Sequence, residues 1–423
     1  MKLKNTLKCL KQGLALSLMV IVTALSISEA AFAHGERNQE PFLRTRTLHW
    51  YDMKYTVEND GAVAINDIVT ITGKFRMFER WPSQIPEPER MYLNVNSNGS
   101  TFVKLESWVN GKPAIQSMIG ELGRDYEFKI VLKARWEGRW HVHPMINVLD
   151  TGGLAGPGIW INVTGDHNDF KMAGTTLEGD VFENLSTYGM AQVYGWHIFW
   201  AVLGLFWLLY WITKPTLMPR WLMVKSGEYE NTLITRTDTK VGVVMLVLVV
   251  GFVVGGGLYT TSKHPRTIPL QAGVAHINPL PVAPSIKVDV VKGNYYVPGR
   301  TVITEVVITN TTDLPIQLGE YTAANIRFIE HSVIDFDEVS QTTPAELLAQ
   351  SSLKLSDNSP LNPGESRQVT IEASDAAWEL ERLTSLMNDP DNTLGALLFF
   401  YDSAGNRYIT ELFSGMVPVF DPT

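Results

Sequence analysis

Two apolar segments constrain the fold of this chain more than any other feature of its sequence. They cover residues 194–213 and 241–260, and each reaches the roughly 20 residues that a helix needs to cross a bilayer. Aromatic rings stand near their ends, at Trp196, Trp211 and Tyr259, where amphipathic rings favour the headgroup region. We therefore expect two transmembrane helices with folded segments on either side.

The connection between these helices, residues 214–240, carries more basic than acidic side chains. By the positive-inside rule, a short connection of this kind lies in the cytoplasm. The folded segments before and after the helices, residues 34–190 and 265–423, are then expected on the outer side of the membrane. The charged residues of the connection are Lys214, Arg220, Lys225, Arg236 and Lys240 against Glu228, Glu230 and Asp238.

The first 33 residues have the three parts of a secretory signal peptide: a basic start, an apolar run at 14–25 and a small-x-small cleavage site that ends at Ala33. Cleavage there makes His34 the first residue of the mature chain. An uncleaved signal anchor is the alternative, which the short apolar run disfavours. The only cysteine, Cys9, lies in the removed segment, so the mature chain is expected to have no disulfide and no thiolate metal site.

Both folded segments have the β-branched and alternating residues that are typical of β-strands. Apolar and polar residues alternate at 91–95 and 126–130, and the second segment has a similar run at 302–308. Clusters of Gly, Asn and Pro interrupt these runs at turn-like intervals. We predict a mainly-β fold with two transmembrane helices, in which each folded segment is a β-sandwich or Greek-key barrel.

Composition and charge narrow the class of protein further. With 45% hydrophobic and 19% charged residues, the chain is not disordered in bulk. Its formal net charge of −9 argues against a nucleic-acid partner, because binding to phosphates needs clustered Lys and Arg. The remaining class is a membrane protein with two folded domains.

Two histidines in one predicted strand, His141 and His143, are candidate metal ligands. Positions i and i+2 of a strand point to the same face, roughly 6.6 Å apart. Alone, a His-x-His pair is more often coincidental than a metal site. A mature N-terminal His34 changes this balance, because its α-amine and ring nitrogen can close a chelate around one metal ion. We therefore predict a site built by His34, His141 and His143.

The types of ligand in this site indicate its metal. Three imidazoles and an amine suit copper, zinc or nickel better than magnesium or calcium, and the Irving–Williams order favours Cu(II) at an all-nitrogen site. Copper is the prediction and zinc is the competitor. A blue-copper electron carrier is excluded, because its defining ligand is a cysteine thiolate.

Two further residues are interpreted as support for the ligands. Glu36 could orient a ligand through its carboxylate, although an exposed surface glutamate is an equally good interpretation. His49 could border the site, with a hydrogen-bonded core histidine as the alternative interpretation.

An ordered series of motifs resembles the B subunits of the copper membrane monooxygenases. The resemblance covers essentially the whole mature chain, and it is closer to ammonia monooxygenase than to its sister, particulate methane monooxygenase. The motifs in chain order are HGE at 34–36, TLHWYD at 47–52, KAR at 133–135, WHVH at 140–143, GPG at 156–158, TIPLQAG at 267–273, SDNSP at 356–360 and SDAAWE at 374–379.

The resemblance implies a fold, partners and an activity. It implies two cupredoxin-like domains in the periplasm, assembled with subunits A and C into a trimer of heterotrimers in the lipid membrane. It implies copper on His34, His141 and His143, with Glu36 beside them. For the complex it implies oxidation of ammonia to hydroxylamine with O₂, with methane as the alternative substrate.

One residue departs from the family pattern. Some methane-oxidising members place a second histidine opposite the position of His49, and this chain has Arg76 there. An arginine cannot lose a proton to become a ligand at ordinary pH. We therefore predict that a second copper site between His49 and Arg76 is absent.

Two other classes of function remain open at the level of sequence. A periplasmic copper carrier would also use an N-terminal histidine, but it has no need of two membrane helices and a second domain. A non-catalytic scaffold would explain the second domain well. The sequence also leaves open whether the predicted copper is catalytic, structural or electron-relaying.

Overall fold

The computed structural model describes residues 39–58, 60–212, 214, 217–227, 234–266, 273–282, 286–351, 353–386 and 391–421. The predicted signal peptide, His34 and Glu36 lie outside the described residues. The chain divides into two compact units. The first unit joins the segment up to Thr164 with the segment from Gly273 onward, and the second unit is Gly165–Ala272.

The first unit contains two β-sandwiches, of which the N-terminal one follows a short helix, α1 (Pro41–Arg46). Its ring cluster of Trp50, Phe75 and Phe128 is buried, with centroids 5.2 to 6.2 Å apart. The first sheet has the order β1 (Leu48–Tyr55), β3 (Ile68–Met77), β8 (Arg124–Ala134), β5 (Phe102–Val109) and β6 (Lys112–Pro113). The second has the order β14 (Val274–Ala275), β7 (Ser117–Met118), β4 (Met91–Asn96), β9 (Gly138–Val148), β11 (Ile159–Thr164) and β2 (Gly61–Ala64), with β10 (Gly152–Ala155) paired to β9.

Strand β3 shows how the sequence pattern builds these sheets. From Val69 to Met77 every second side chain is buried, because successive side chains of a strand point to opposite faces. The β-branched run at 63–72 is interrupted by a turn between β2 and β3. There Asn66 adopts a positive φ of 77°, and the carboxylate of Asp67 accepts a hydrogen bond from the backbone N–H of Ala64 at 2.7 Å. Short polar side chains of this kind favour a turn over a continued strand.

The C-terminal sandwich is built around a buried tryptophan. Trp378 is fully buried, its ring stacks on Phe328 at 5.1 Å, and its indole N–H donates to the carbonyl of Ala373 at 3.0 Å. One sheet has the order β19 (Lys354–Leu355), β20 (Ser366–Ser374), β16 (Thr301–Thr309), β15 (Lys287–Tyr296) and β23 (Val417–Val419). The other has the order β18 (Ile326–Ile329), β17 (Ile316–Ala323), β21 (Thr393–Asp402) and β22 (Arg407–Gly415).

Strand β1 lies against the C-terminal sandwich on one of its faces. The ring of Tyr51 packs edge-on against Phe399 at 5.8 Å, and its hydroxyl donates to Asp125 at 2.8 Å. The next residue, Asp52, accepts two hydrogen bonds from the guanidinium of Arg407, at 2.7 and 2.5 Å. An aromatic contact and a bidentate ion pair therefore join the two sandwiches at neighbouring positions of one strand.

A second ionic contact between the sandwiches is centred on Arg76 of β3. Its guanidinium binds Asp125 of the same sandwich and Glu411 of the other, each at 2.5 Å. The carboxylate of Glu411 is 8% exposed, and burial raises its pKa against the opposing effect of Arg76. The arginine thus neutralises two carboxylates that would otherwise face each other at the boundary.

The second unit contains two helices that are long and apolar enough to cross a membrane, by length and composition. The first begins four residues before the predicted segment 194–213 and ends at Ile212, and the second extends beyond the predicted segment 241–260 at both ends. The second begins with a capping box, in which Thr235 and Asp238 each accept a hydrogen bond from the other's backbone N–H. The two long helices are α2 (Met190–Ile212) and α4 (Arg236–Lys263), and the shorter helix α3 (Leu217–Lys225) lies between them in the chain. The unit also has the strand pair β12 (Gly174–Thr175) and β13 (Val181–Phe182).

The predicted fold class is confirmed. Strands dominate both sandwiches, and the two long apolar helices stand between them in the chain. The remaining short helices of the C-terminal sandwich are α5 (Phe336–Thr342), α6 (Ala377–Leu380) and α7 (Leu383–Leu386), with 3-10 turns at His167–Asp169 in the second unit and Ala345–Leu347 in the first.

We expect Arg76→Met to lower the free energy of unfolding by about 3 kcal/mol, because it leaves two largely buried carboxylates without their shared counter-ion. The matched control is Arg300→Met, whose ion pair with Glu379 is about half exposed and should contribute less than about 1 kcal/mol. The measurement is the urea-unfolding midpoint of the detergent-solubilised full chain. Equal shifts in the two variants would contradict the stabilising role of Arg76.

Candidate metal centre

His141 and His143 occupy alternate positions of β9 and point into the protein from the same face. His141 is 6% exposed and His143 is 2% exposed. His141 lies opposite Trp160 of β11, and His143 lies opposite Asn96 of β4. The alternation of side chains along one buried strand is therefore what brings the two imidazoles together.

The two rings approach closely enough to bind one metal ion. Nε2 of His143 lies 2.9 Å from Nδ1 of His141, and the ring planes are 80° apart. Two nitrogens that each bind a metal at about 2.0 Å, at a right angle, are about 2.8 Å apart. The pair therefore fits adjacent positions of one metal ion, and imidazole is a ligand that suits copper and zinc.

A hydrogen bond fixes the tautomer of His143. Its Nδ1 donates to the carbonyl of Gly156 at 2.8 Å, which leaves the lone pair of the ring on Nε2, the nitrogen that faces His141. A metal-binding histidine commonly donates its other ring N–H to a carbonyl in this way. The ring of His143 is thus held with its ligand atom directed into the candidate site.

The segment Gly156–Gly158 is a β-bulge that shapes this side of the site. Ala155 pairs with Met145 and Ile159 pairs with Val142, so three residues of this segment lie opposite only two residues of β9. Glycine is required at 158, because a Cβ there would lie 2.5 Å from Nδ1 of His143. Sequence analysis predicted turns at clusters of Gly, Asn and Pro; at this cluster the structure shows a bulge, which carries the carbonyl bonded to His143.

His141 has two neighbours that the sequence alone did not indicate. The ring of Trp160 stacks on it at 4.6 Å, with the planes 21° apart, and the guanidinium of Arg139 lies 4.2 Å from the centroid of Trp160. On the C-terminal sandwich, Oε1 of Glu346 lies 3.8 Å from Nε2 of His141. The contact with Trp160 depends on strand register and the contact with Glu346 on domain packing, and neither leaves a local pattern in the sequence.

The structure does not bring together all the residues that the sequence singled out. His34 and Glu36 fall outside the described residues, so their placement stays a prediction. His49 lies in β1 of the other sheet, with its ring 5.9 Å from Phe78. In the part of the chain that the structure describes, no group of three or more His, Cys, Asp or Glu side chains is close enough to bind a metal.

His49 has the character of a neutral core histidine. It is fully buried, and neither of its ring nitrogens has a hydrogen-bond partner among the described residues. Burial lowers its pKa to about 3, because the charged imidazolium cannot be solvated there. The alternative interpretation of His49 was a core histidine with a hydrogen bond. The structure shows a core histidine whose ring makes no hydrogen bond to the described residues.

Arg76 lies directly opposite His49 in the pairing of β1 with β3. Its guanidinium is bound to Asp125 and Glu411. Burial alone would lower the pKa of Arg76, but these two carboxylates raise it. The residue opposite His49 is therefore held as a cation, and the absence of a second copper site at this position stays our prediction.

The comparison with known proteins identifies the family. A model of the monooxygenase B-subunit protein family matches residues 35–420. The chain belongs to this family. It is also 42% identical over 411 residues to the "Particulate methane monooxygenase alpha subunit" of Methylococcus capsulatus (Bath), covering 96% of this chain and 97% of that protein. The resemblance found in the sequence is confirmed for the family, and these similarities do not distinguish ammonia from methane as substrate.

Solved structures give only weak similarity. The cupredoxin domain of amoB from Nitrosocaldus yellowstonii is 15% identical with a TM-score of 0.24, and it covers 32% of this chain and 98% of that chain. The fibronectin(III)-like modules of Clostridium thermocellum CbhA are 5% identical with a TM-score of 0.14, covering 88% and 95%. Scores of this size support no argument about this chain.

We expect His49→Phe to remove an acid-sensitive part of the stability. In the parent, the unfolded chain takes up a proton on His49 near pH 6.5 and the folded chain does so only near pH 3, so stability falls as the pH falls between these values. The loss of stability between pH 7 and pH 5 should be about 2 kcal/mol larger in the parent than in the variant, as measured by unfolding midpoints at both pH values.

The control for this variant is His331→Phe, because His331 is an exposed histidine of the C-terminal sandwich. It should leave the pH dependence of the parent unchanged. At pH 7, His49→Phe should be neutral or stabilising, since a buried polar ring without partners is replaced by an apolar ring of similar shape. A marked loss of stability at pH 7 would instead show that the nitrogens of His49 are in use.

Proposed function

We propose that this chain is the copper-binding subunit of a membrane monooxygenase complex, and that His34, His141 and His143 hold the copper. The observation that carries this proposal is the buried His141–His143 pair, whose facing nitrogens are 2.9 Å apart in a chain of the monooxygenase B-subunit family. Membership of that family supports the oxidoreductase class, and the ligand types support copper over zinc.

The third ligand in this proposal is the N-terminus of the mature chain. Cleavage after Ala33 supplies both an α-amine and the ring of His34, which chelate one ion together. Glu36 follows two residues later and is proposed to orient this ligand. A bound copper would supply one-electron redox chemistry, while the residues of this chain hold it, orient its ligands and keep it largely shielded from bulk water.

The proposed setting is the inner or intracytoplasmic membrane of a bacterium. The two long apolar helices anchor the chain, and the charge of the connection between them supports a cytoplasmic loop with both sandwiches in the periplasm. The proposed partners are monooxygenase subunits A and C in a trimer of heterotrimers. Both sandwiches are proposed to be cupredoxin-like domains, as the family resemblance implies.

The proposed reaction of the complex is the oxidation of ammonia to hydroxylamine. Ammonia, O₂, two electrons and two protons give hydroxylamine and water. Methane is the second candidate substrate, because the relative with 42% identity is named a particulate methane monooxygenase. Rates of hydroxylamine and methanol formation by the same purified complex distinguish the two.

We propose a structural or electron-relaying role for the copper that this chain binds. The family resemblance implies further copper sites in the membrane-embedded C subunit, so this chain need not hold the copper that activates oxygen. A periplasmic copper-binding scaffold without any part in turnover is the alternative.

N-terminal sequencing and metal analysis of the membrane-extracted chain test the site. The mature chain should begin at His34 and contain copper. The double variant His141→Ala/His143→Ala should lose this copper, and the control His167→Ala/His331→Ala should keep it. A chain that keeps residues 1–33 and binds no copper would refute the proposed site.

The same double variant tests the role of the copper once assembly with the partner proteins is verified. The complex should retain measurable turnover while the copper of the C subunit remains bound. Complete loss of turnover with the C subunit fully loaded would instead assign catalysis to His141 and His143.

A further inference from the structure

Glu346 is a carboxylate from the C-terminal sandwich that faces a candidate ligand of the N-terminal sandwich. Its Oε1 lies 3.8 Å from Nε2 of His141, which is the ring nitrogen directed away from His143. This distance is longer than a hydrogen bond but within the range of an ion pair. A shift of roughly 0.8 Å in the side chain would bring the two atoms to hydrogen-bonding distance.

The position of Glu346 excludes it as a ligand of the same metal. The lone pairs of the two imidazole nitrogens point in diverging directions, so a group at Nε2 is remote from a metal at Nδ1. A carboxylate at the outer nitrogen of a ligating histidine instead fixes the ring and its tautomer. The geometry therefore suits an orienting group.

The hydrogen bonds of the His141–His143 pair show how the carboxylate of Glu346 affects the tautomer of His141. Nε2 of His143 accepts, because Nδ1 of that ring donates to Gly156, so Nδ1 of His141 is the donor in the contact between the two rings. This tautomer directs the lone pair of Nε2 towards the negative charge of Glu346. When Nδ1 of His141 serves as a ligand, the hydrogen is carried by Nε2 and faces the carboxylate favourably. Glu346 therefore favours the metal-binding tautomer of His141.

Glu346 is held in place by the packing of its own segment. It lies in the 3-10 turn Ala345–Leu347, and the next two side chains, Leu347 and Leu348, are each 6% exposed. Ala349 donates a hydrogen bond to the carbonyl of Arg327 at 2.9 Å, which ties the turn to β18. The carboxylate is thus presented from a fixed piece of backbone.

We propose that Glu346 is a positioning residue for the metal centre, which orients His141 from the C-terminal sandwich. This inference rests on the proposed copper site at His34, His141 and His143. The C-terminal sandwich contributes none of the proposed metal ligands. Through Glu346 it takes part in setting the affinity of the site for copper.

The test uses the assembled complex with the variant Glu346→Gln, which removes the charge and keeps the shape. Affinity for Cu(II) is measured by competition with a chelator, and the nitrogen hyperfine pattern of bound Cu(II) is recorded by electron paramagnetic resonance. The affinity should fall roughly tenfold, and the hyperfine pattern assigned to His141 should change. The matched control is Glu338→Gln, an exposed glutamate on α5 of the same sandwich, which should change neither.

A double-mutant cycle separates positioning from a merely structural role. In a His141→Ala background, Glu346→Gln should cause no further loss of affinity, because the residue that it orients is gone. An equal tenfold loss in both backgrounds would overturn the proposal, as would parental affinity and spectrum in Glu346→Gln alone. If the parent complex itself binds no copper at this site, the proposed function fails and this inference fails with it.

Discussion

Strand β9 is held by different neighbours along its length, and the candidate metal centre depends on this arrangement. On one side, residues 138–142 pair with β11 and residues 145–148 pair with β10. On the other side, residues 143–148 pair with β4. The bulge at Gly156–Gly158 lies between β10 and β11, opposite His143 and Pro144. The pleat of β9 places both imidazoles on the same face of the strand, and the bulge supplies the carbonyl of Gly156, which orients the ring of His143.

Much of the fold follows from patterns that are local in the sequence. Alternation predicted the strands around 91–95 and 126–130, and the pair His141–His143 was readable because residues two apart in a strand share a face. Contacts between distant segments were not readable. Trp160 reaches His141 through strand register and Glu346 reaches it through the packing of two sandwiches, and neither is encoded by spacing. The start of α4 at Arg236 was missed because hydropathy does not detect a capping box.

Near the boundary between the sandwiches, the buried charged groups form ion pairs, whereas one buried histidine is neutral. Arg76, Asp125 and Glu411 compensate one another's charges, and Arg407 does the same for Asp52. His49 lies in the same strand as Asp52, is buried without a hydrogen-bond partner among the described residues, and stays neutral. The charged groups make the packing of the two sandwiches specific, whereas the neutral ring fills space against Phe78. This difference is the physical basis of our prediction that the histidine and the arginine at these paired positions form no shared metal site.

The first unit is discontinuous in sequence, because its two parts are separated by both long apolar helices. Strand β14, which follows those helices, completes a sheet by pairing with Ser117 and Met118 of the earlier part. During synthesis the N-terminal sandwich therefore emerges with an unfinished sheet edge and without the neighbour that Glu346 provides. The surroundings of His141 are thus complete only after the last third of the polypeptide has been made and has docked.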